Sequence, residues 1–324
     1  MKKQSGKQNP KYDVSVIIVN YLTYRLIEEC IKTIFQKTSG LSFEIVIVDN
    51  SNDLSEFNQL KNLVNEFPLP IKVINARGNL GFGRANNLGA SYSNGDYLLF
   101  LNSDTLLINN AMLAMIRVFK NYQNVGCVGA NLYTKSGKPE HSYIKAELTK
   151  KGIRKNNSLL ATIARKLGNS EQFNRTGKVL DIQGYLTGAC FLVPTFLFNE
   201  IGGFDQDIFM YGEDSLLCNQ IRKKGYRLVN TPDAKVIHLN GASDSTIYSD
   251  KKILAIVRGN SICLEKMYGV ECLSSYLYVY YKSMKEMAFW NYVFGKKNNY
   301  INLKRLAKAY KQESVRVATN KNPR

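Results

Sequence analysis

The chain has 324 residues, of which 44% are hydrophobic, and it carries a formal net charge of +18. This length and composition allow one large domain or two smaller ones, and they exclude a mainly disordered chain. The sequence has no apolar run of 18 residues and no apolar segment near its start, so we expect a cytoplasmic protein with neither a membrane-spanning helix nor a secretory signal.

The first half of the chain alternates predicted strands with predicted helices. Continuous β-branched runs predict strands buried on both faces, and apolar residues three and four positions apart predict helices between them. We predict strands at 14–19, 43–48, 71–74, 97–101 and 125–130. The helices predicted between and after them span 22–36, 54–67, 84–91 and 111–120. This alternation predicts an α/β fold with a parallel sheet.

The alternation lapses between residues 134 and 178, which are rich in Lys, Asn, Ser and Gly and predict a basic, mobile excursion. Later we predict a strand at 187–193, a short helix after Pro194, a helix at 213–224 capped by Gly225, and a strand at 234–237.

We divide the chain into a flexible leader at 1–12, a catalytic domain at 13–245 and a helical C-terminal region at 246–324 that is rich in Lys and aromatic residues. Residues 135–178 hold eleven Lys and Arg against three acids, and residues 251–324 hold fifteen against four, so the remainder is nearly neutral. A basic surface of this kind indicates a polyanionic partner, either nucleic acid or an anionic membrane.

The six cysteines lack CxxC spacing, which predicts buried free thiols rather than a zinc site. The sequence has two histidines, His141 and His238, and this number excludes a mechanism that needs a histidine cluster.

Polar residues follow three of the predicted strands. The carboxyl ends of parallel strands meet at one edge of a sheet, where open α/β sheets bind their ligands. The residues at these ends are Asn20, Tyr21, Asp49, Asn50, Ser51, Asn102, Ser103 and Asp104.

A glycine-rich stretch at 77–87 follows the third predicted strand. Its glycines let the backbone approach a ligand, and its asparagines offer donors and acceptors. It matches neither a P-loop nor a dinucleotide fingerprint, and alone such a loop is as often structural. The candidate ligand contacts in it are Asn79, Gly81, Phe82 and Asn86.

Two adjacent acids, Glu213 and Asp214, lie at the start of a predicted helix, after a glycine turn and an aromatic cluster. Alone, such a pair more often complements the helix dipole. Together with Asp104, however, the pair suffices for group transfer from an activated donor. One carboxylate can hold a metal ion on a phosphate, and another can accept a proton.

These motifs together resemble the family 2 glycosyltransferases of the GT-A fold, most closely bacterial rhamnosyltransferases and O-antigen or capsule glycosyltransferases. The resemblance covers about residues 14–243 in the family's order. It implies a Rossmann-like, mostly parallel central sheet flanked by helices, here with a basic helical C-terminal extension. The matching segments are 16–21, 47–51, 79–82, 100–105, 202–205, 209–214 and His238.

The resemblance also implies roles for single residues. Asp49 is expected to contact the nucleotide base, and Asp104 to close a DxD-type motif that binds Mn²⁺ or Mg²⁺. Asp214 is the expected general base, although the residues alone do not rank it against Glu213. His238 is the expected metal or diphosphate ligand, although a lone histidine after a strand is more often structural. The motif departs from the family pattern because Asn102 replaces its first carboxylate.

The implied reaction is an inverting transfer of a sugar from a nucleotide-diphosphate sugar, first dTDP-rhamnose, to a glycan or polyprenyl-diphosphate-linked acceptor of bacterial cell-surface polysaccharide synthesis. A UDP-hexose donor, carrying galactose or N-acetylglucosamine, is the alternative. A nucleic-acid-binding protein is disfavoured because the charge lies outside the motif-bearing part and no nucleic-acid-binding motif is present. A non-catalytic, polysaccharide-binding relative is disfavoured by the intact Asp104 and Asp214.

The C-terminal region interleaves aromatic residues with lysines between residues 274 and 310. Such rings favour the membrane–water interface, and lysines favour anionic lipid. We therefore expect peripheral attachment to the inner face of the plasma membrane. The alternative is a helical subdomain that packs its aromatic face on the core.

Overall fold

The computed structural model describes residues 12–68, 71–158, 171–239 and 247–320. All strands and helices predicted in the first half are present, and Tyr12 already belongs to the first strand; the rest of the predicted leader lies outside the described residues. The elements are β1 (Tyr12–Asn20), α1 (Tyr24–Lys37), β2 (Phe43–Asp49), α2 (Leu54–Val64), β3 (Ile71–Asn75), α3 (Phe82–Ser91), β4 (Gly95–Asn102), β5 (Thr105–Leu107), α4 (Ala111–Asn121) and β6 (Val125–Tyr133).

The second half adds short strands and the C-terminal helices. Its elements are β7 (Tyr143–Ile144), α5 (Lys150–Asn156), β8 (Leu180–Asp181), β9 (Tyr185–Leu186), β10 (Cys190–Pro194), α6 (Thr195–Glu200), α7 (Glu213–Lys223), β11 (Arg227–His238), α8 (Asp250–Tyr268), α9 (Val270–Val293) and α10 (Lys297–Asn320). The strand predicted at 234–237 is the end of the much longer β11. Its turn-like stretch at 230–233 is accommodated by a register shift between Thr231 and Lys235.

Across the described residues, nine strands form one sheet in the order β3-β2-β1-β4-β10-β6-β11-β5, with β8 beside β11. The strands β3, β2, β1 and β4 are mutually parallel, as are β6 and β11, whereas β10, β5 and β8 run antiparallel to their neighbours. The predicted mostly parallel sheet is confirmed.

Helices cover both faces of this sheet. In β1, Ile18 packs in a cluster with residues of α1 and α4, and Ile17 packs in a second cluster with residues of α6 and α7. Because each central strand is buried on both faces, its sequence is an almost unbroken apolar run rather than an alternating one.

The described part of the predicted basic, mobile excursion at 134–178 contains two short elements, β7 and α5, that pack on the rest of the chain. Tyr143 is buried and pairs with Leu186, and Ile153 of α5 is buried in a cluster with the C-terminal helices. Elements of two and seven residues are too short to give a periodic signal. Residues 159–170 lie outside the described residues.

The predicted helical C-terminal extension is confirmed and is packed against the rest of the chain. Helices α9 and α10 form an antiparallel hairpin in which Tyr280 stacks on Tyr310 at 5.0 Å between ring centroids. Helix α8 joins this hairpin to the sheet domain, since Cys263 packs with Ile208 and Leu216. Within the described ranges, no helix is both long and apolar enough to cross a bilayer. The predicted domain boundary at 245 falls in residues 240–246, outside those ranges.

Candidate active site

The strand register brings the predicted strand-end residues to one edge of the sheet. Asn20 pairs with Asp49 between β1 and β2, and Val19 pairs with Asn102 between β1 and β4. The predicted convergence of these three strand ends is therefore confirmed. Tyr21, the next residue after β1, is 50% exposed at the same edge.

Asp49 is fully buried, and its two carboxylate oxygens differ. Oδ1 accepts hydrogen bonds from Nδ2 of Asn20 at 3.0 Å and from the backbone N–H of Ser51 at 3.2 Å. Among the described residues, Oδ2 has no hydrogen-bond partner. A buried oxygen without a partner is costly, and here it remains available to a donor group of a ligand. Asn20 also bonds to Glu56, at 3.1 Å, so it orients the carboxylate from within the protein.

The glycine-rich loop is fixed by Asn50. Nδ2 of Asn50 donates to Oδ1 of Asn79 at 3.1 Å, and Oδ1 of Asn50 accepts from the N–H of Leu80 at 2.8 Å. Gly81 has a φ of +84°, and a Cβ there would lie 2.1 Å from the carbonyl oxygen of Phe209. A side chain is therefore excluded at this position.

The same loop is joined to the segment that precedes the acid pair. The N–H of Phe82 donates to the carbonyl of Phe209 at 3.0 Å. Asn86 is buried, and its Nδ2 donates to the carbonyl of Phe82 at 3.0 Å, so it stabilises the start of α3. Asn87, absent from the predicted site, accepts from the N–H of Phe204 at 2.9 Å and donates to its carbonyl at 2.8 Å.

Asp104 and His238 meet because β5 pairs with β11 and places Thr105 opposite His238. Oδ1 of Asp104 lies 3.5 Å from Nε2 of His238, and Nδ2 of Asn102 lies 3.5 Å from the same nitrogen. Ser103 faces α1 instead, since its Oγ accepts from Oγ1 of Thr23 at 3.0 Å.

The other ring nitrogen of His238 contacts Glu140, a residue that sequence reasoning missed. Nδ1 lies 3.2 Å from Oε1 of Glu140. Burial disfavours the charged ring, but the carboxylates of Asp104 and Glu140 outweigh it and raise the pKa of His238 to about 9. Glu140 reaches this position because a tight turn after β6 returns the chain, so that its N–H bonds to the carbonyl of Leu132, whose strand neighbours β11.

Asp104 offers an oxygen donor to a divalent cation, and His238 offers a nitrogen donor once its ring has lost its proton. In the part of the chain that the structure describes, no group of three or more His, Cys, Asp or Glu is suited to hold a metal. Carboxylates commonly bind the second ring nitrogen of metal-ligating histidines, as Glu140 does here. The donor set fits Mn²⁺ or Mg²⁺ with further oxygens from a diphosphate and water.

Asp214 is held by three hydrogen bonds beside the loop that joins β9 to β10. Its Oδ2 accepts from the N–H of Gly188 at 3.2 Å, and its Oδ1 accepts from the N–H and Oγ of Ser215 at 2.7 and 3.3 Å. The next loop residue, Ala189, accepts from the N–H of Asn102 at 3.0 Å. Two consecutive loop residues therefore connect the acid pair to the segment that carries Asp104.

The two acids differ in their electrostatic environments. Burial and the negative charge of Asp214 raise the pKa of Glu213 to about 8, and among the described residues its Oε2 has no hydrogen-bond partner. Burial also raises the pKa of Asp214, but the hydrogen bonds from Ser215 and Gly188 favour its charged form. Asp214 is therefore the member of the pair whose charged form is stabilised by hydrogen bonds from the protein.

Helix α8 supports the backbone before the acid pair. Tyr211 and Gly212 have φ values of +70° and +111°. Gly259 of α8 packs directly beneath them, since a Cβ there would lie 2.0 Å from the carbonyl oxygen of Tyr211. Lys266 of the same helix binds Asp205 at 2.6 Å and Asp207 at 2.5 Å.

The central sheet, the loops at the ends of its parallel strands and the carboxylates gathered there define a glycosyltransferase of the GT-A fold. The chain belongs to glycosyltransferase family 2: the model described as "Glycosyl transferase family 2" matches residues 15–196, more than half of the chain. The acid pair and His238 lie beyond the matched range.

Similar proteins include transferases from archaea and bacteria. The chain is 29% identical to the low-salt glycan biosynthesis hexosyltransferase Agl10 of Haloferax volcanii over 70% of this chain and 67% of that protein. It is 44% identical to the N-acetylglucosaminyl-diphospho-decaprenol L-rhamnosyltransferase of Mycobacterium tuberculosis over 17% of this chain and 18% of that protein. The aligned part spans only 25% of a further relative, the uncharacterized protein y4gI of Sinorhizobium fredii.

Among solved structures, the mannosyltransferase PcManGT of Pyrobaculum calidifontis in complex with GDP-Man and Mn²⁺ has the same fold. It superimposes with a TM-score of 0.53 at 14% identity and covers 95% of this chain and 85% of its own.

Proposed function

We propose that this chain transfers a sugar from a nucleotide-diphosphate sugar to an acceptor hydroxyl, with inversion, and that Asp214 is the general base. The observation that carries the proposal is the placement of Asp214. Gly188 and Ser215 donate to its carboxylate and favour its charged form, whereas Oε2 of the neighbouring Glu213 has no hydrogen-bond partner among the described residues. An ionised carboxylate in a partly buried site can accept a proton from a bound hydroxyl.

The donor contacts follow from the strand-end residues. Oδ2 of Asp49, buried and without a protein partner among the described residues, is suited to accept the imide N–H of uracil or thymine. This favours a UDP- or dTDP-sugar. dTDP-rhamnose is the first candidate because a similar protein is named as a rhamnosyltransferase. A UDP-hexose is the alternative, since another is named as a hexosyltransferase.

Asp104 and His238 are the residues that hold the divalent cation, Mn²⁺ or Mg²⁺, in this proposal. When bound, the cation supplies Lewis-acid stabilisation of the charge that develops on the diphosphate. Glu140 keeps the ring of His238 turned so that Nε2 faces Asp104. Asn102, in place of a second acid, contributes an amide rather than a charge.

The transfer is a single displacement. The acceptor oxygen forms a bond to the anomeric carbon while the bond from that carbon to the diphosphate breaks, and its electron pair leaves on the diphosphate. The hydroxyl proton passes to Asp214. A base placed in this way contributes roughly 100- to 10,000-fold. Because the attack and the departure occur on opposite faces, the product has inverted configuration.

We further propose that the acceptor is a glycan or a polyprenyl-diphosphate-linked sugar of bacterial cell-surface polysaccharide synthesis. The Mycobacterium tuberculosis relative is named for a diphospho-decaprenol-linked sugar, which supports this class of acceptor. The enzyme would act as a peripheral protein at the inner face of the plasma membrane, with residues 13–245 as its catalytic domain and residues 246–324 as the helical region that supports the site. Nucleic acid is not a proposed partner.

A panel of sugar nucleotides tests the proposal. Each donor is incubated with the full chain, with and without Mn²⁺ and with and without a polyprenyl-diphosphate-linked sugar, and the released nucleotide diphosphate is measured. We expect acceptor-dependent release of dTDP from dTDP-rhamnose that Asp214→Asn abolishes. Release from a UDP-hexose alone would select the alternative donor. If no donor reacts in the presence of both metal and acceptor, the proposed function is wrong.

A further inference from the structure

The hairpin of α9 and α10 exposes aromatic side chains at the end distant from its buried core. On α9, Phe289 is 57% exposed and Tyr292 is 68% exposed, and Phe294 in the following turn is 40% exposed. Tyr278, which lies earlier on the same face of the helix, is 47% exposed. Positions 278, 282, 285, 289 and 292 are spaced by three or four residues, so they share one face of the helix. We call residues 289–297 the hairpin tip.

Lysines surround these rings. Lys282 and Lys285 lie on the exposed face of α9, and Lys296 and Lys297 are exposed just after the turn, whereas Glu286 is the acidic residue of this stretch. Nζ of Lys282 lies 5.4 Å from the ring centroid of Tyr278. The exposed side of the hairpin therefore combines apolar area with positive charge.

The exposed rings contact other rings at the tip, since Tyr292 lies 5.3 Å from Tyr300 between ring centroids, but they lie outside the buried core of the hairpin. Its core is built on the opposite side by buried residues such as Leu277, Met284 and Tyr310. Contiguous exposed apolar side chains are unfavourable in water, and they generally mark a binding surface.

We propose that the hairpin tip inserts Phe289, Tyr292 and Phe294 into the headgroup region of an anionic membrane while its lysines contact lipid phosphates. Aromatic rings with lysines on both sides match the polarity of the interface and the charge of anionic lipid. This inference rests on the proposed function for its biological setting, since it brings the enzyme to a lipid-linked acceptor, but the binding itself requires neither donor nor acceptor.

The experiment is co-sedimentation of the full chain with vesicles of phosphatidylglycerol and phosphatidylcholine, and with phosphatidylcholine alone. The first variant is Phe289→Ser/Tyr292→Ser/Phe294→Ser, and the second is Lys296→Gln/Lys297→Gln. We expect at least tenfold weaker binding to anionic vesicles for the first and about 30-fold weaker binding for the second, given the contribution of a lysine near anionic lipid. Wild-type binding should weaken as salt rises.

Matched controls are Phe196→Ser, at a ring that is 60% exposed on α6, and Lys37→Gln/Lys61→Gln on α1 and α2; we expect wild-type binding from both. Circular dichroism verifies that every variant is folded. Equal binding of wild type to neutral and anionic vesicles, or unchanged binding of the tip variants, overturns the inference. The inference is also overturned if wild type dimerises as its concentration rises and the tip variants do not, because the tip would then contact a second copy of the chain. Sugar transfer to a water-soluble acceptor, measured separately, should survive in the tip variants, and its absence in wild type counts only against the proposed function.

Discussion

The backbone N–H of Gly188 donates to Oδ2 of Asp214 at 3.2 Å, and the carbonyl of the next residue, Ala189, accepts from the N–H of Asn102 at 3.0 Å. One peptide segment thus fixes the acid pair relative to the strand end that carries Asp104. The proposed reaction requires the proton acceptor and the residue at the diphosphate to be held at a constant separation, and this loop would provide that constraint.

Asp214→Asn is expected to lower turnover by at least 100-fold and to leave the dissociation constant of the donor within a few-fold, because it removes the proton acceptor and retains its shape. Glu213→Gln is the matched control. Because burial and the negative charge of Asp214 raise the pKa of Glu213 to about 8, its neutral amide should retain most of the activity. Steady-state kinetics of both variants decide the assignment, and the reverse pattern would make Glu213 the base.

Asp104→Ala is expected to abolish the tightening of nucleotide diphosphate binding by Mn²⁺. The segment Asn102-Ser103-Asp104 contains a single carboxylate, so no neighbour within it replaces the lost charge. Calorimetric titration with dTDP or UDP, with and without Mn²⁺, measures the effect. Asp233→Ala, at an exposed acid of β11, is the control. A full metal effect in Asp104→Ala would place the cation elsewhere.

Glu140→Gln is expected to weaken Mn²⁺ binding by about 10- to 100-fold, the usual effect of losing the carboxylate that orients a metal-binding histidine. The loss arises because Nδ1 of His238 no longer contacts a charged partner at 3.2 Å. Electron paramagnetic resonance of free Mn²⁺ measures the affinity without reference to catalysis. Glu171→Gln, at an exposed acid of the same segment, should bind Mn²⁺ as wild type does. Equal affinities for all three proteins would remove Glu140 from the site.

The buried Glu213 predicts a pH-dependent stability. Its pKa rises from 4.5 to about 8 on folding, so the folded protein binds more protons between these values and loses stability as pH rises through that window. The slope from this one group is at most about 1.4 kcal/mol per pH unit. Glu213→Gln lacks this titrating group. In urea denaturation, the free energy of unfolding of the variant should therefore rise relative to that of wild type between pH 5 and 8. A constant difference across that range would contradict the assignment.

Gly259→Ala is expected to lower both stability and turnover. A methyl group at this position of α8 would collide with the carbonyl oxygens of Met210 and Tyr211, so the helix and the backbone before Glu213 must separate. Overpacking of this kind costs about 1 to 3 kcal/mol. Leu254→Ala, at an exposed position on the same helix, is the control. Thermal denaturation and kinetics compare them, and normal turnover in Gly259→Ala would show that α8 does not position the acid pair.

The sequence predicted the sheet and the meeting of its strand ends because both follow from local patterns. Unbroken apolar runs identify doubly buried strands, and parallel pairing then brings Asp49 and Asn102 to one edge. By contrast, only the family resemblance implied that Asp104 and His238 lie together at a metal site. The physical origin of their proximity is the antiparallel contact of β5 with β11, and β5 has only three residues.

Residues that depend on distant contacts could not be predicted. Glu140 reaches His238 through a tight turn after β6, and no spacing in the sequence links the two. Gly188 contributes a backbone N–H, which leaves no side-chain signature. Lys266 looked like one lysine of a basic tail, yet it binds Asp205 beside the site. The packing of Cys263 with Ile208 and Leu216 likewise implies that deletion of the C-terminal region would disturb the fold, so point variants are the proper test of its surface.

The configuration of the product tests the central claim most directly. The full chain is incubated with Mn²⁺, a lipid-diphosphate-linked acceptor and the sugar nucleotide that reacts in the donor panel, whose anomeric configuration is known. The anomeric coupling constant of the new glycosidic bond is then measured by NMR. A single displacement assisted by Asp214 predicts inversion of the donor's configuration, with product formation lost in Asp214→Asn. A product that retains the donor's configuration would contradict the account.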